Sequence, residues 1–317
     1  MDKKKICVAL LAGGRSGERE VSLAGAAGFE AAIDTEKYEL RRYDPKTDLG
    51  RLAADASAID VAFILLHGTF GEDGTVQGYL ELLDIPYQGA GVLGSALAMD
   101  KNMAKTLYRL HGLPVADWEM ARPEDGDDAS RLLERLRYPL VVKPIREGSS
   151  LGMSIAGDLQ ELQDGIRMAY GHDSEVMVEQ FVAGREITVG VLGNEELTPL
   201  PLVEIIPGEE FGFFDYQAKY EKGASEEICP ADVEEDVAAR AQQYAVAAHR
   251  ALQLRGYSRT DMMLAPDGSL TLLETNTIPG MTPTSLFPQA AEAAGVTFTG
   301  LIDRLLELAL EDNRDIK

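Results

Sequence analysis

The 317-residue sequence carries 30 Lys and Arg residues against 53 Asp and Glu residues, a formal net charge of −23 at pH 7. Nucleic acids and anionic membrane surfaces are bound through patches of Lys and Arg, so this balance argues against both as partners. Hydrophobic residues form 45% of the chain, enough for a packed core, and at roughly 100–200 residues per domain the length predicts two or three lobes.

The N-terminal segment has two interpretations. Lys3–Lys5 followed by the apolar residues 6–12 resembles a short signal peptide, but no small-residue cleavage site follows, so we expect a buried first strand at 6–11. No apolar run approaches the roughly 18–20 residues of a membrane helix. Cys7 and Cys229 are too few for a disulfide framework or a thiolate metal site, and we interpret them as reduced thiols of a cytoplasmic protein.

The first region alternates between strand and helix patterns. Residues 6–11 and 60–66 are continuous apolar runs, typical of strands buried on both faces, and residues 21–32 form an Ala-rich helical stretch. This alternation predicts an α/β first lobe with a mostly parallel sheet, whose ligands bind at the loops that follow the strands.

Two further regions follow. In the second, we expect a helix at 101–110 and strands at 140–143 and 176–181. The third, from about residue 186, is richer in paired strand signals and contains a long helical stretch at 233–254. The expected domains are residues 1–98, 99–182 and 183–317, and the expected fold class is α/β with α+β elements.

Residues 258–277 are typical of a β-hairpin, because the favoured turn pair Asp267-Gly268 separates two strand-like runs. A two-residue turn there pairs Asp261 with Glu274 and Arg259 with Asn276. Because side chains alternate along a strand, all four would project from one face of the hairpin.

The facing carboxylates of Asp261 and Glu274 would repel each other on a bare sheet, and a bound cation would reverse that effect. Asp, Glu and Asn offer oxygen ligands, which suit Mg²⁺ or Mn²⁺ held together with substrate phosphates. The alternative is a solvated polar face on which Arg259 neutralises the acids. A register slip of one residue would mean that Asp261 no longer faces Glu274, and the basis for a metal site would be lost.

Three loops rich in Gly and polar residues occur at 13–20, 67–74 and 143–152. They contain neither a dinucleotide-binding fingerprint nor a P-loop. The third combines backbone donors, hydroxyls and Lys143, a composition that suits phosphate. Taken alone, Lys101 and Lys143 could equally be solvated charges, and His67 a polar loop residue. The aromatic-rich loop 211–220 is either a lid over a site or a packed satellite cluster.

Together these segments resemble the D-alanine–D-alanine ligases of the ATP-grasp superfamily over nearly the whole chain. The matching motifs are, in order, GGRSGEREVSL, HGTFGEDGTVQGYLELLDIPYQGAGVLGSALAMDK, VVKPIREGSSLGMS, VEQFVAGREITVGVL, FFDYQAKY, GYSRTDMML and LLETNTIPGMTPTSLFPQAA. Several long motifs at matching separations are far more specific than any one glycine loop.

The resemblance implies a three-lobed ATP-grasp fold with a Rossmann-like N-terminal lobe and ATP between the central and C-terminal lobes. It implies that ATP phosphorylates the carboxylate of one D-alanine to an acyl phosphate, which the amine of a second D-alanine attacks to release phosphate. The expected cofactors are ATP as substrate and two Mg²⁺ ions, with Mn²⁺ possible, and the expected assembly is a homodimer. Such a protein would supply a peptidoglycan precursor.

The resemblance also implies residue roles. Residues around the first D-alanine are Glu18, Ser149, Tyr220 and His67, of which the first three form a hydrogen-bonded triad. Residues around ATP are the phosphate lysines Lys101 and Lys143, the adenine and ribose residues Glu179 and Glu186, and the lid residue Lys219. Ligands of the two Mg²⁺ ions are Asp261, Glu274 and Asn276. The tetrahedral intermediate is stabilised by Arg259 and the Gly280 N–H, and the second D-alanine carboxylate is bound by Ser285 and Leu286.

Some positions depart from the family pattern, namely Phe214 in the lid motif, Gln180 near adenine, and Pro283-Thr284 before Ser285. Related ligases join D-alanine to D-lactate or D-serine, and the retained Tyr220 favours an amine as second substrate. A non-catalytic ATP-binding protein on a decayed scaffold would have lost metal or phosphate residues, which are all present. A Rossmann dehydrogenase would lack its fingerprint and would leave the hairpin unexplained.

Overall fold

The computed structural model describes residues 4–148, 151–208 and 225–312. Within these ranges the chain forms three β-sheets with helices packed against them. No helix of the described part is both long and apolar enough to cross a membrane.

The first sheet is parallel, with the order β2-β1-β3. Its strands are β1 (Ile6–Ala12), β2 (Tyr38–Tyr43) and β3 (Val61–Leu65), and its helices are α1 (Arg19–Ala32), α2 (Leu49–Asp55) and α3 (Thr75–Leu82). Apolar clusters cover both faces of β1 and β3, which explains their uninterrupted apolar sequence. The expected buried first strand and parallel α/β lobe are therefore confirmed.

The central sheet is antiparallel, with the order β4-β7-β5-β6. Helices α4 (Val92–Met99) and α5 (Lys101–Leu110) precede it in the chain, and α5 begins at Lys101 because the Asp100 side chain accepts the Met103 N–H, an N-cap. The strands are β4 (Trp118–Met120), β5 (Leu140–Pro144), β6 (Ser154–Ala156) and β7 (Val176–Gln180), and α6 (Leu159–Ala169) packs on β5 and β6.

The third sheet has the order β11-β10-β8-β12-β13, with β9 paired to β8. Its strands are β8 (Arg185–Leu192), β9 (Thr198–Pro199), β10 (Val203–Pro207), β11 (Ser225–Ile228), β12 (Tyr257–Leu264) and β13 (Leu270–Asn276). The remaining helices are α7 (Glu235–Ala251), α8 (Leu286–Ala293) and α9 (Phe298–Asp312). Tyr257 and Phe287 from this part share one apolar cluster with Leu65 of the first sheet, so one core joins the two sheets.

The β12–β13 hairpin has the predicted site pairing but not the predicted turn. Gly268 donates its N–H to the Ala265 carbonyl and Ala265 donates to Ser269, both at 2.9 Å, so the loop has three residues, 266–268, and the two-residue turn was wrong. That longer loop shifts the pairs near it by one residue, and Met262 faces Leu272.

A β-bulge at Leu273 then inserts one extra residue in β13 and restores the predicted pairs. Asp261 faces Glu274 and Arg259 faces Asn276, as expected.

Candidate functional site

A cavity of about 240 Å³ lies between the central and third sheets. It brings together six residues predicted to bind ATP or metal, namely Lys101, Lys143, Glu179, Glu186, Asp261 and Glu274. Apolar walls come from both sheets, with Val141 and Ile155 on one side and Met263 and Leu273 on the other. A cleft with apolar walls and a few converging charges is typical of a cofactor or substrate site.

The carboxylate of Asp261 accepts hydrogen bonds from three side chains. Arg259 donates to both of its oxygens at 2.8 Å, Asn276 donates at 3.0 Å and the Thr188 hydroxyl donates at 2.6 Å. Lys101 lies 3.1 Å from the Glu274 carboxylate. Burial alone would lower the pKa of Arg259, but attraction to Asp261 outweighs it and raises that pKa, so the guanidinium stays charged.

The hairpin face therefore contains two carboxylates, an amide and Arg259, and Lys101 of α5 contacts it. Arg259 neutralises Asp261, as the second interpretation expected, but the face is not solvated, because Asp261 is buried. Among the described residues, no three His, Cys, Asp or Glu side chains are grouped to hold a metal ion. The oxygen donors Asp261, Glu274 and Asn276 nevertheless suit a hard divalent cation, because carboxylate and amide oxygens are its preferred ligands.

The lysines of the cleft are bound to the central sheet and its loop. Lys101 donates to the Glu147 carbonyl at 2.8 Å, and Lys143 lies 2.6 Å from one oxygen of Glu179. The second Glu179 oxygen contacts the ammonium of Lys105, a residue to which the sequence gave no role. Burial alone would raise the pKa of Glu179, but the two lysines outweigh it and lower that pKa, so the carboxylate is ionised.

The three glycine loops meet at Glu18, which precedes α1. A Cβ atom at Gly68 would lie 3.0 Å from a Glu18 carboxylate oxygen, and one at Gly148 would lie 3.1 Å from it. Glycines at these two positions therefore make room for the carboxylate. His67 is buried beside it, and burial lowers the pKa of His67 although Glu18 acts in the opposite direction.

Glu72, in the second loop, had no role assigned from the sequence. Its carboxylate accepts the N–H groups of Gly68 at 2.9 Å and Ile278 at 3.2 Å. Burial, and then repulsion by Glu18, raise the pKa of Glu72 from 4.5 to about 8. Together with Lys101, Glu274 and Asn276 it lines a small cavity of about 40 Å³, which adjoins the cleft through the shared residues Lys101 and Glu274.

The segment after β13 holds the other predicted residues. A Cβ atom at Gly280 would lie 3.0 Å from the Ser285 hydroxyl, which accepts the Thr282 N–H at 3.1 Å. Ser285 is the N-cap of α8, and Leu286 is the first residue of that helix. The N–H groups at a helix start form a good binding site for a carboxylate.

Four residues singled out in the sequence, Ser149, Phe214, Lys219 and Tyr220, lie outside the described residues. Of the other family departures, Gln180 lines the cleft, and its amide bonds the backbone of Arg137 and Pro139. Pro283 packs near Gly28 of α1. Besides Glu72, Lys105 and Thr188 had no role assigned from the sequence. The one indication for Lys105 was its position close to Lys101, and that for Thr188 was its place on β8.

Comparisons with known proteins agree with this geometry. Residues 42–90 match the family model "D-ala D-ala ligase N-terminus" and residues 107–307 match "D-ala D-ala ligase C-terminus". The D-alanine–D-alanine ligase of Desulfotalea psychrophila is 56% identical over 99% of this chain and 98% of its own, and that of Syntrophobacter fumaroxidans is 55% identical over 98% and 100%.

Two solved structures are similar along nearly the whole chain. The D-alanine–D-alanine ligase of Bacillus anthracis in complex with ATP has a TM-score of 0.86 at 34% identity and covers 99% of this chain and 100% of its own. The D-Ala:D-Ser ligase VanG of Enterococcus faecalis has a TM-score of 0.86 at 33% identity, with coverages of 96% and 100%. The neighbours have the ATP-grasp fold, so that expectation is confirmed. The chain therefore belongs to the D-alanine–D-alanine ligase family.

Proposed function

We propose that the protein uses ATP to join two D-alanine molecules through an acyl phosphate, releasing ADP and phosphate. The observation that carries this proposal is the cleft between the central and third sheets, where Lys101, Lys143, Asp261 and Glu274 converge. Phosphoryl transfer needs positioning and charge stabilisation more than a protein nucleophile, and this residue set provides both.

At the nucleotide end, Lys101 and Lys143 bind phosphates and Glu179 and Glu186 face adenine and ribose. Lys219, from the lid sequence, completes the set near the γ-phosphate. Asp261, Glu274 and Asn276 would hold Mg²⁺, which supplies charge neutralisation between phosphate oxygens when bound. Their oxygen donors and their position on one hairpin face support this assignment.

At the substrate end, Glu18 binds the ammonium of the first D-alanine, with His67, Ser149 and Tyr220 beside it. The position of the Glu18 carboxylate against Gly68 and Gly148 supports a small substrate there. Ser285 and the Leu286 N–H bind the carboxylate of the second D-alanine at the start of α8. Arg259 and the Gly280 N–H stabilise the oxyanion that forms when the amine attacks, because a charge fixed in place beforehand needs no reorganisation.

The test is ADP release with and without D-alanine, followed by identification of the product. D-Alanyl-D-alanine formation that requires ATP, Mg²⁺ and D-alanine supports the proposal. A protein that binds ATP but releases no ADP with D-alanine would instead be a non-catalytic member of the fold.

A D-alanine–D-serine ligase is the second candidate, favoured by the similarity to VanG. The higher identity to D-alanine–D-alanine ligases, 56% against 33%, supports the first. Competition between D-alanine, D-serine and D-lactate as second substrate distinguishes them, and a preference for D-serine or D-lactate would reverse the assignment.

We further propose a cytoplasmic homodimer with lobes at residues 1–98, 99–182 and 183–317. Free thiols at Cys7 and Cys229 suit a reducing compartment. Exposed apolar side chains on the first lobe, Leu49, Phe70 and Leu82, suit a contact between two copies. Light scattering of the purified protein would measure the assembly, and a mass of one chain would reject the dimer.

A further inference from the structure

Lys105 of α5 is fully buried, which is unusual for a lysine, and it has no role in the function proposed above. Its ammonium contacts one oxygen of Glu179, whose other oxygen lies 2.6 Å from Lys143. It also donates to the Leu272 carbonyl at 3.3 Å. One buried carboxylate is thus shared by two lysines, one of which, Lys143, lines the cleft.

One face of α5 connects this group to the hairpin. Residues 101, 105 and 108 are three or four positions apart and so lie on the same side of the helix. Lys101 contacts Glu274, Lys105 contacts the Leu272 carbonyl and Tyr108 donates to the Thr275 hydroxyl at 2.7 Å. Lys105 therefore contacts β13 next to the bulge at Leu273 and contacts β7 of the central sheet at the same time.

The charges of Lys105, Glu179 and Lys143 indicate a specific role for Lys105. A buried carboxylate that loses its cation is strongly unfavourable, so Glu179 needs a partner at all times. If Lys143 were that sole partner, it could not bind a phosphate without leaving Glu179 buried and unpaired. Lys105 removes this conflict, because it lies away from the cleft lining and keeps its contact with Glu179.

We propose that Lys105 is a positioning residue for nucleotide binding: its ammonium neutralises Glu179 so that Lys143 is available to the phosphates of ATP. This inference rests on the proposed ATP-dependent function and adds to it. Burial lowers the pKa of Lys105, and attraction to Glu179 acts in the opposite direction. With Lys105 in the ammonium form that its contact with Glu179 favours, the group has one net positive charge, which attracts an anionic nucleotide. Without Lys105, Lys143 and Glu179 would form a neutral pair that competes with ATP.

The experiment is calorimetric binding of ATP with Mg²⁺, in the absence of D-alanine, to the full chain and its variants. Lys105→Met should weaken ATP binding roughly 10-fold or more and raise the KM for ATP, with a smaller change in kcat at saturating ATP. Tyr108→Phe is the matched control, since it removes a buried hydrogen bond from the same helix face without touching Glu179. An ATP affinity of Lys105→Met no lower than that of Tyr108→Phe would overturn the proposal.

A double-mutant cycle tests the route of the effect and covers the case in which Lys105→Met folds poorly. Glu179→Gln combined with Lys105→Met removes both charges and leaves no buried carboxylate unpaired. Because Lys105 acts through Glu179, losing Lys105 should weaken ATP binding less in the Glu179→Gln background than in the wild type. An equal loss in the two backgrounds would mean that Lys105 acts by another route and would also overturn the proposal.

Failure of this inference and failure of the proposed function are distinguishable. A wild-type protein that binds ATP but forms no D-alanyl-D-alanine contradicts the ligase assignment and leaves the binding comparison valid. Normal ligation by wild type with unchanged ATP affinity in Lys105→Met contradicts the positioning role alone.

Discussion

Two pairs of carboxylates lie next to the same cleft, and their surroundings differ. On the hairpin face, Asp261 contacts Arg259 of the same strand and Glu274 contacts Lys101 of α5. In the second pair, Glu72 lies near Glu18, and the neighbouring His67 has a pKa lowered by burial. The first pair is neutralised by permanent cations, while burial and then repulsion by Glu18 raise the pKa of Glu72 to about 8.

The difference separates two uses of a carboxylate. A pair matched with cations can exchange one cation for another. The second pair stores a proton near neutrality, because burial and then repulsion by Glu18 raise the pKa of Glu72. Four changes test this contrast.

Glu274→Gln should have the largest effect, because the hairpin face loses one anionic oxygen ligand. A metal contribution of several kcal/mol corresponds to a loss in kcat of roughly 1,000-fold. Turnover measured across a Mg²⁺ titration checks it, with Glu39→Gln, at an exposed position of β2, as the matched control. Normal turnover at saturating Mg²⁺ would refute the metal role of Glu274.

Arg259→Ala should lower kcat roughly 100-fold and change the KM for D-alanine much less. The reason is that its fixed charge stabilises the transition state more than bound substrate. Steady-state kinetics with varied D-alanine separates the two constants, and Arg304→Ala on α9 is the control. If only KM changed, the role of Arg259 would be substrate binding.

Glu72→Gln should remove a pH dependence of stability. The pKa of Glu72 is about 8 in the folded protein against an ordinary 4.5, so the folded state keeps a proton that the unfolded state releases. Stability of the wild type therefore falls as pH rises through this window and levels off above it.

The variant should gain about 4 kcal/mol relative to wild type between about pH 5 and pH 8. Urea denaturation at several pH values measures the gain. Parallel pH profiles for wild type and variant would contradict the raised pKa.

Gly268→Ala should have the smallest effect. Gly268 has a φ of +80°, which an alanine adopts at a cost of about 1 kcal/mol. Because the bulge separates the turn from the site, kcat should not change. Urea denaturation measures the stability and steady-state kinetics measure kcat. Gly50→Ala in α2 is the control at an ordinary φ. A large fall in kcat would show that the turn controls the pairing of the site residues.

The sequence predicted most of the frame for physical reasons that are local. Continuous apolar runs marked β1 and β3, and the helix expected at 101–110 was found with the same bounds. The converging residues of the cleft were found through motif similarity together with strand alternation in the hairpin.

What the sequence could not predict depends on long-range packing. A lysine is usually exposed, so nothing local distinguished the buried Lys105 from a surface charge. The raised pKa of Glu72 arises from burial and from Glu18, 54 positions earlier in the chain. In the hairpin, the wrong turn gave the right pairs because the bulge at Leu273 offset the extra loop residue, and a bulge has no reliable local signal.

That bulge has a consequence for evolution and for engineering of the hairpin. The pair of Asp261 with Glu274 lies on the site side of the bulge at Leu273, whereas the loop 266–268 lies on the other side. Sequence changes in the loop should therefore leave the pairing of Asp261 with Glu274 unchanged. The tip of the hairpin is a place to graft a peptide tag or a fluorescent reporter while preserving turnover.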